Sequence, residues 1–228
     1  MSGEREHVIL ARPNPGALCA DQLQASSQLL GRAFANDPAL VLADPDGARR
    51  ARWLPCLYRA TLRYAHATGG VELVGGRAAA LWLQSQTEPS FWRALCCGML
   101  RIPLAMGVRA WLRLARHEAW CAARVRALCA PNYGYLWILG VDPEAQRAGY
   151  GSLAVAAAIA AMRAQGHGVC LLKTETESNV AFYRQLGFEC IDDRVVPSSQ
   201  IRYWLFRQEL PTTAQLALSG LRLDPQLI

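Results

Sequence analysis

The stretch Tyr135-Leu-Trp-Ile-Leu-Gly-Val-Asp-Pro-Glu-Ala-Gln-Arg-Ala-Gly-Tyr-Gly-Ser-Leu153 decides how the chain folds. Leu136 to Val141 is an apolar run of strand type. Asp142-Pro143 interrupts it, because proline offers no ladder N–H and drives the residue before it out of helical conformation. Behind the turn stand Gln146-Arg147-Ala148-Gly149-Tyr150-Gly151, and then an alanine-rich helical run towards Gln165. Two glycines at the mouth of a helix let backbone N–H groups approach a ligand closely. The helix dipole adds partial positive charge there, so a phosphate or pyrophosphate is the natural guest.

Outward from this stretch, Gly166-His167-Gly168 stops the helix and Val169-Cys-Leu-Leu-Lys173 reads as a buried strand. A helix joins the two strands, which predicts that they run parallel. The next segment is Thr174-Glu-Thr-Glu-Ser-Asn-Val-Ala-Phe-Tyr-Arg-Gln-Leu-Gly-Phe-Glu189. Gln146, Gly149 and Gly151 fill the pattern Q/R-x-x-G-x-G/A, which resembles the acyl-CoA signature of the GNAT acyltransferase superfamily. Leu139-Gly140-Val141-Asp142-Pro143 resembles the strand and bulge that precede it. Asn179, Tyr183, Leu186, Gly187 and Phe188 resemble the family's second hallmark, in which N-x-x-x-Y comes before L-G-F. Two ordered motifs separated by one strand are far harder to obtain by chance than either alone.

The resemblance implies an α/β (α+β) GNAT fold, with a mixed central sheet of about six to seven strands, flanking helices and a splayed parallel pair at the acyl-CoA site. It implies that pantetheine lies along Leu139, Gly140 and Val141, in the gap between the splayed strands. The pyrophosphate would rest on the signature, at Gln146 and the N–H groups of Arg147, Ala148, Gly149, Tyr150, Gly151 and Ser152. Arg147 could add a charge-assisted contact to phosphate, or simply face solvent. Asn179 lies one helical turn before Tyr183, so both are expected to face the cofactor. Tyr183 is the candidate catalytic residue, a phenol able to protonate the departing CoA thiolate; the alternative is that it only packs between helix and sheet. A base for the amine is expected too, with Glu118, Tyr133, Tyr135, Glu175 or a water chain all open and none singled out by spacing. His117 and Glu118, being adjacent on a helix, diverge by about a quarter turn.

The expected activity is acetyl-CoA-dependent N-acetyltransfer to a primary amine of a small molecule, by direct transfer. A non-catalytic acyl-CoA-binding sensor or accessory protein of the same fold is the first alternative. A dinucleotide enzyme is the second: Gly149-Tyr150-Gly151-Ser152-Leu153-Ala154 fits G-x-G-x-x-A, with Glu175 and Glu177 roughly 25 residues on. Against it, Asp142 to Ala148 stand between the strand and the first glycine, and the unit does not open the chain.

Upstream, His7 to Ala11 reads as a first strand, closed by Pro13-Asn14-Pro15-Gly16. Asp21 is a plausible N-cap for a helix carrying Leu23, Leu30 and Phe34, ended by Asn36-Asp37-Pro38. A second helix is predicted from Gly47 to His66, with Pro55 implying a kink or a later start. Gly69-Gly70 and Gly75-Gly76 bracket a strand at Val71 to Val74, whose hairpin partner runs from Arg77 to Leu83. Residues 88–130 form a helical insertion, apolar and rich in tryptophan but broken by Arg101 and Arg109. An extra helical pair over the acceptor side is the main reading and an amphipathic membrane-surface segment the other. Such an insertion, and the ending Ala79-Ala80-Leu81-Trp82, resemble the puromycin-type acetyltransferases. Two closing strands, near Glu189 to Val196 and Ile201 to Arg207, complete one domain over residues 1–209, leaving 210–228 as a tail.

Composition narrows the class. Of 228 residues 52% are hydrophobic and 18% charged, which argues against disorder. The net charge of +6 suits an anionic partner such as the CoA phosphates or is a mildly basic surface of no specific use. Eight cysteines without a CxxC pair or regular spacing, behind an N-terminus lacking an apolar signal region, predict free thiols in the cytoplasm. The histidines His7, His66, His117 and His167 do not cluster with cysteines at ligand spacing, so no metal is expected. No nucleic-acid partner and no stable membrane insertion are expected, and a monomer or homodimer fits equally.

Overall fold

A computed structural model describes residues 18–85, 91–129 and 132–211. The first strand expected at His7 to Ala11 lies outside these residues, as does the tail from 212 onward. Helices α1 (Ala20–Ala33), α2 (Pro38–Ala43) and α3 (Gly47–Thr68) lead into a hairpin of β1 (Gly69–Val74) and β2 (Ala78–Gln84). The insertion follows as α4 (Phe91–Cys96), a 3-10 turn at Met99–Arg101, α5 (Ile102–Met106) and α6 (Val108–Leu128). The core unit is then β3 (Tyr133–Val141), α7 (Tyr150–Ala164), β4 (Val169–Thr174), α8 (Ser178–Gln185), β5 (Glu189–Val195) and β6 (Arg202–Glu209). Six strands form one mixed sheet in the order β1-β2-β3-β4-β6-β5. Among the described residues only β3 and β4 pair in parallel, as the helix between them requires.

Alternation along the strands sorts the helices onto two faces. Ala78, Ala80 and Trp82 of β2 share a core with Ala154, Ala158 and Met162 of α7, while Ala79 and Leu81 pack with Leu30 of α1 and Leu54 of α3. Further along the sheet, Cys170, Leu172 and Phe206 join the α7 side, whereas Leu171, Tyr203 and Leu205 meet Cys121 and Val125 of α6. The long inserted helix therefore extends the α1–α3 layer across the β4–β6 half of the sheet. Its buried stripe, Ala110, His117, Cys121 and Val125, has helical spacing.

Several expectations are corrected. The N-cap of α1 is Cys19, whose thiol accepts from Gln22 N while the Gln22 side chain accepts from Cys19 N, so Asp21 is a first-turn residue. Asn36-Asp37-Pro38 ends α1 but also starts α2: Asp37 caps it, and Pro38 sits in the first turn, where a missing N–H costs nothing. Helix α3 does not start late at Pro55: it begins at Gly47, carries Pro55 inside it and runs to Thr68. Pro55 instead packs its ring near Gly31 of α1. The helical pair expected in the insertion is three helices, because Gly98 and Gly107, both with positive φ, turn the chain twice. Leu210, assigned to the tail, is buried and its N–H donates to Gly168 O, so the folded part reaches one residue further.

Candidate functional site

The geometry of the site starts from one extra residue in β3. Leu81 pairs with Ile138 and Trp82 with Leu136, so nothing on β2 stands opposite Trp137. Such a bulge shifts the side-chain alternation by one position. Leu136 faces the α7 core before it; Leu139 and Val141 face that core after it, and Gly140 turns towards α1. A Cβ on Gly140 would come within 2.4 Å of Leu30 Cδ2, so the glycine permits the close approach of α1. Parallel pairing with β4 ends at Leu136 and Leu172, immediately before the bulge. Beyond that point the two strands part, and the β3 edge from Trp137 to Val141 has no partner on the β4 side among the described residues.

The signature residues sit at the far end of this edge. A 3-10 turn at Pro143–Ala145 carries the chain over to Gln146, Arg147 has φ +64°, and Gly149, at φ +87°, caps α7. Asp142 fixes the turn by accepting from Glu144 N, and it forms an ion pair with Arg32 of α1 at 2.5 Å. That guanidinium holds the Asp142 carboxyl below the usual carboxylate range. The first hydrogen bond of the α7 ladder runs from Leu153 N to Gly149 O. None of the backbone N–H groups from Gly149 to Ser152, the first turn of α7, donates to any acceptor among the described residues. A Cβ on Gly149 would meet nothing within 4 Å. The result is a row of undonated amides at a helix N-terminus, open to one side, which fits an anionic diphosphate.

Across the gap, α8 places Tyr183 in the α7 core against Phe188 and Phe206, at ring separations of 5.9 and 5.8 Å. The ring is 6% exposed, and its hydroxyl has no hydrogen-bond partner among the described residues. Burial pushes the phenol pKa up, with the charges of Cys170 and Glu175 adding to it, so the group keeps its proton. Asn179 donates from Nδ2 to Thr174 Oγ1 at 3.3 Å, which ties α8 to the end of β4. This bond commits part of an amide that sequence assigned to the cofactor.

On the opposite face of the sheet, at the same end of β4, polar groups collect. Lys173 Nζ lies 2.5 Å from Glu175 Oε1 and 2.9 Å from Glu118 Oε1. His117 Nε2 lies 3.2 Å from the same Glu175 oxygen, and its Nδ1 is 2.9 Å from Ser199 Oγ. Glu175 is buried, which raises its pKa, but the ammonium of Lys173 and the bond to His117 outweigh this and bring it down to about 2. Loss of solvent around the half-buried Tyr135, near Lys173, holds its phenol well above the usual range. His117 and Glu118 do diverge, but each finds a different partner on β4 or just after it. The expectation that no histidine clusters with a cysteine is corrected: His117 and Cys121, one helical turn apart on α6, and Glu175 present donor atoms within 4.8 Å of one another. A cation there would face the Lys173 ammonium, and the existing bonds already satisfy the imidazole.

Sequence reasoning missed Asp37. Its Oδ1 accepts from Ala39 N and Leu40 N at 3.0 and 3.1 Å, while Oδ2 has no partner among the described residues. Burial, reinforced by the negative charge of Glu175, raises its pKa to about 6. The phenol of Tyr58 is also raised, first by burial and then by the charge of Asp37. The signal was present as Asp37-Pro38, but it reads as a helix stop until its second role as a cap is considered. Asp37, Glu118 and Glu175 against Lys173 leave this side of the gap with excess negative charge.

The profile of the Acetyltransferase (GNAT) family matches residues 108–188. No curated protein matches the sequence. Among solved structures, a GNAT-family protein from Desulfovibrio desulfuricans superposes with a TM-score of 0.52 at 11% identity, covering 86% of this chain and 96% of that one. A Corynebacterium glutamicum structure described as histone acetyltransferase HPA2 and related acetyltransferase gives 0.51 at 15% identity, over 83% and 91%. The C-terminal condensation domain of Ebony, in complex with beta-alanyl-dopamine, gives 0.52 at 8% identity, over 83% and 94%. At these identities the likeness is one of fold. The mixed sheet, with one parallel pair among the described residues, and its flanking helices are the GNAT fold.

Proposed function

We propose, from its GNAT-family acetyltransferase domain, that the chain moves the acetyl group of acetyl-CoA to a primary amine of a small molecule by direct transfer. The observation that carries this reading is the row of undonated amides from Gly149 to Ser152 beside the unpaired edge of β3. Pyrophosphate would take the N–H groups of Arg147 to Ser152, and pantetheine the backbone of Leu139, Gly140 and Val141. The thioester would then lie in the gap between β3 and β4, with Tyr183 on one side and the acidic cluster on the other.

Acetyl-CoA supplies an activated acyl carbon. The neutral amine nitrogen bonds to that carbon, the carbon–sulfur bond breaks, the thiolate takes a proton from the Tyr183 hydroxyl, which its surroundings keep protonated, and the proton that the new amide nitrogen sheds restores the phenol. The excess negative charge beside Lys173 favours a cationic acceptor. An alkylammonium, with pKa near ~10, must lose a proton before it attacks. We assign that proton to Asp37, whose free oxygen and pKa of about 6 suit a base working near neutrality. Glu175, held at about 2 and bonded to Lys173 and His117, is a poor base and instead sets the field. The inserted helices and Ala79–Trp82 ending support a likeness to puromycin-type acetyltransferases, and with it an acceptor of some bulk.

Free-thiol release from acetyl-CoA over an amine panel, with calorimetry of CoA alone, tests the proposal. Turnover with a small amine supports it. CoA binding without turnover for any amine would leave an acyl-CoA-binding protein, and absence of CoA binding would overturn the site.

A further inference from the structure

We propose that the face formed by α4, α5 and the first turns of α6 docks on an anionic phospholipid bilayer surface, without crossing it. This is independent of the acetyltransfer reading. Among the described residues, every exposed large hydrophobic except Leu128 and Val195 falls between Phe91 and Leu112. Trp92 is 72% exposed, Phe91 63% and Leu104 83%. Helix α4 buries no residue at all, and its two aromatic rings contact only each other edge-on among the described rings, 5.7 Å apart. A fold that needed these side chains for its core or for roofing a pocket would turn them inward. Here they point outward from consecutive elements, α4 to the start of α6, rather than being scattered singly over the surface.

Charge identifies the occupant. From Pro89 to His117 the sequence holds no aspartate or glutamate but contains Arg93, Arg101, Arg109, Arg113 and Arg116. Arg101, Arg109 and Arg116 are exposed and form no ion pair among the described residues. On α6, Val108, Trp111 and Leu112 occupy the face turned away from Ala110, His117 and Cys121, and Arg109, Arg113 and Arg116 flank it as a second stripe. Exposed aromatics rimmed by arginine, without acids, are what an interfacial helix presents to anionic headgroups. A second copy of the chain would set these arginines against their own counterparts, which repel. No described helix is long and apolar enough to cross a membrane, so the contact is with the surface. Trp111 and Glu118 lie on the same helix about 10 Å apart at ~1.5 Å per residue, so the docked face would hold the acidic side of the site close to the headgroups.

Flotation of the full chain with vesicles of phosphatidylcholine, alone or mixed with phosphatidylglycerol, tests this. The expected result is co-flotation and a blue shift of tryptophan fluorescence with the mixed vesicles only, weakening as salt rises. Arg101→Ala and Arg109→Ala should each weaken binding about fivefold. The triple variant Phe91→Ser, Trp92→Ser, Leu104→Ser should lose it, with an unchanged circular dichroism spectrum and unchanged thiol release in solution. Absence of co-flotation, equal binding to neutral vesicles, or insensitivity to salt would overturn the proposal. So would concentration-dependent self-association in light scattering that the triple variant abolishes, since the face would then belong to a second copy.

Discussion

His117 Nε2 lies 3.2 Å from Glu175 Oε1, and this bond ties the inserted helix α6 to the carboxyl end of β4. Lys173 reaches the same oxygen at 2.5 Å and Glu118 of α6 at 2.9 Å, so two carboxylates share one ammonium where the insertion meets the sheet. Each group is costly to bury alone and stable only in company.

The Glu175 pKa is lowered from the ordinary 4.5 to about 2, so its contribution to stability is present above pH 4.5 and is lost as pH falls towards 2. Lys173→Met should leave two carboxylates without their cation and cost about 3–5 kcal/mol at neutral pH. In the variant, the acid limb of stability between pH 4.5 and 2 should flatten, because the attraction that depressed Glu175 is gone. Urea melts at several pH values read both effects. An unchanged acid limb would mean that Lys173 does not hold Glu175 down.

Removing the Tyr183 hydroxyl should slow the chemistry without loosening the fold. The ring packs against Phe188 and Phe206 while its hydroxyl bonds to nothing among the described residues, so Tyr183→Phe leaves no partner orphaned. Stability should stay within about 1 kcal/mol, and kcat should fall about 10²-fold or more if the phenol protonates the leaving thiolate. CoA affinity should hold. Equal kcat for the two proteins would assign the ring to packing alone.

Much of this site was legible in the sequence because its information is local. Gln146, Gly149 and Gly151 mark the candidate amide cradle through backbone shape, and Asn179 and Tyr183 follow on one short helix that Leu186 closes. The parallel pairing of β3 and β4 followed from the helix between them. What stayed hidden depends on long-range contacts. Asp37 is distinguished from other aspartates only by burial and by charges more than a hundred residues away. His117 meets Glu175 only because α6 lies across β4, which no spacing along the chain records. Trp137 becomes a bulge only against β2.

Two neighbouring glycines should respond differently to the same methyl group. Gly149 has φ +87°, so Gly149→Ala should cost about 1–2 kcal/mol through backbone strain and weaken CoA as the cradle shifts. Gly151 has no such conformation, and its added Cβ would lie 3.4 Å from Phe182 Cζ, an ordinary contact. The family pattern also accepts alanine there. Gly151→Ala should therefore leave both melting temperature and CoA affinity near those of the parent, as thermal scans and calorimetry would show. A large loss of CoA affinity in Gly151→Ala alone would place the diphosphate closer to that carbon than the cradle requires.

Asp37 supplies the sharpest test of the acceptor side, because its two expected effects have opposite signs. Its pKa is raised from the ordinary 3.8 to about 6, so its contribution to stability is complete below 3.8 and lost as pH rises through 6. At neutral pH the ionised carboxylate therefore costs the folded state something. Asp37→Asn keeps an Oδ1 acceptor for Ala39 N and Leu40 N, and asparagine caps helices about as well as aspartate. The variant should accordingly be as stable as the parent or more so at pH 7, and its stability should no longer decline between pH 4 and 6. Activity should move the other way. In the parent, kcat/KM for an amine should fall below an apparent pKa near 6, as the base takes up its proton; in the variant that limb should vanish and the plateau drop about 10²-fold or more. A variant that retains both the plateau and the limb would remove Asp37 from the mechanism and return the proton to water.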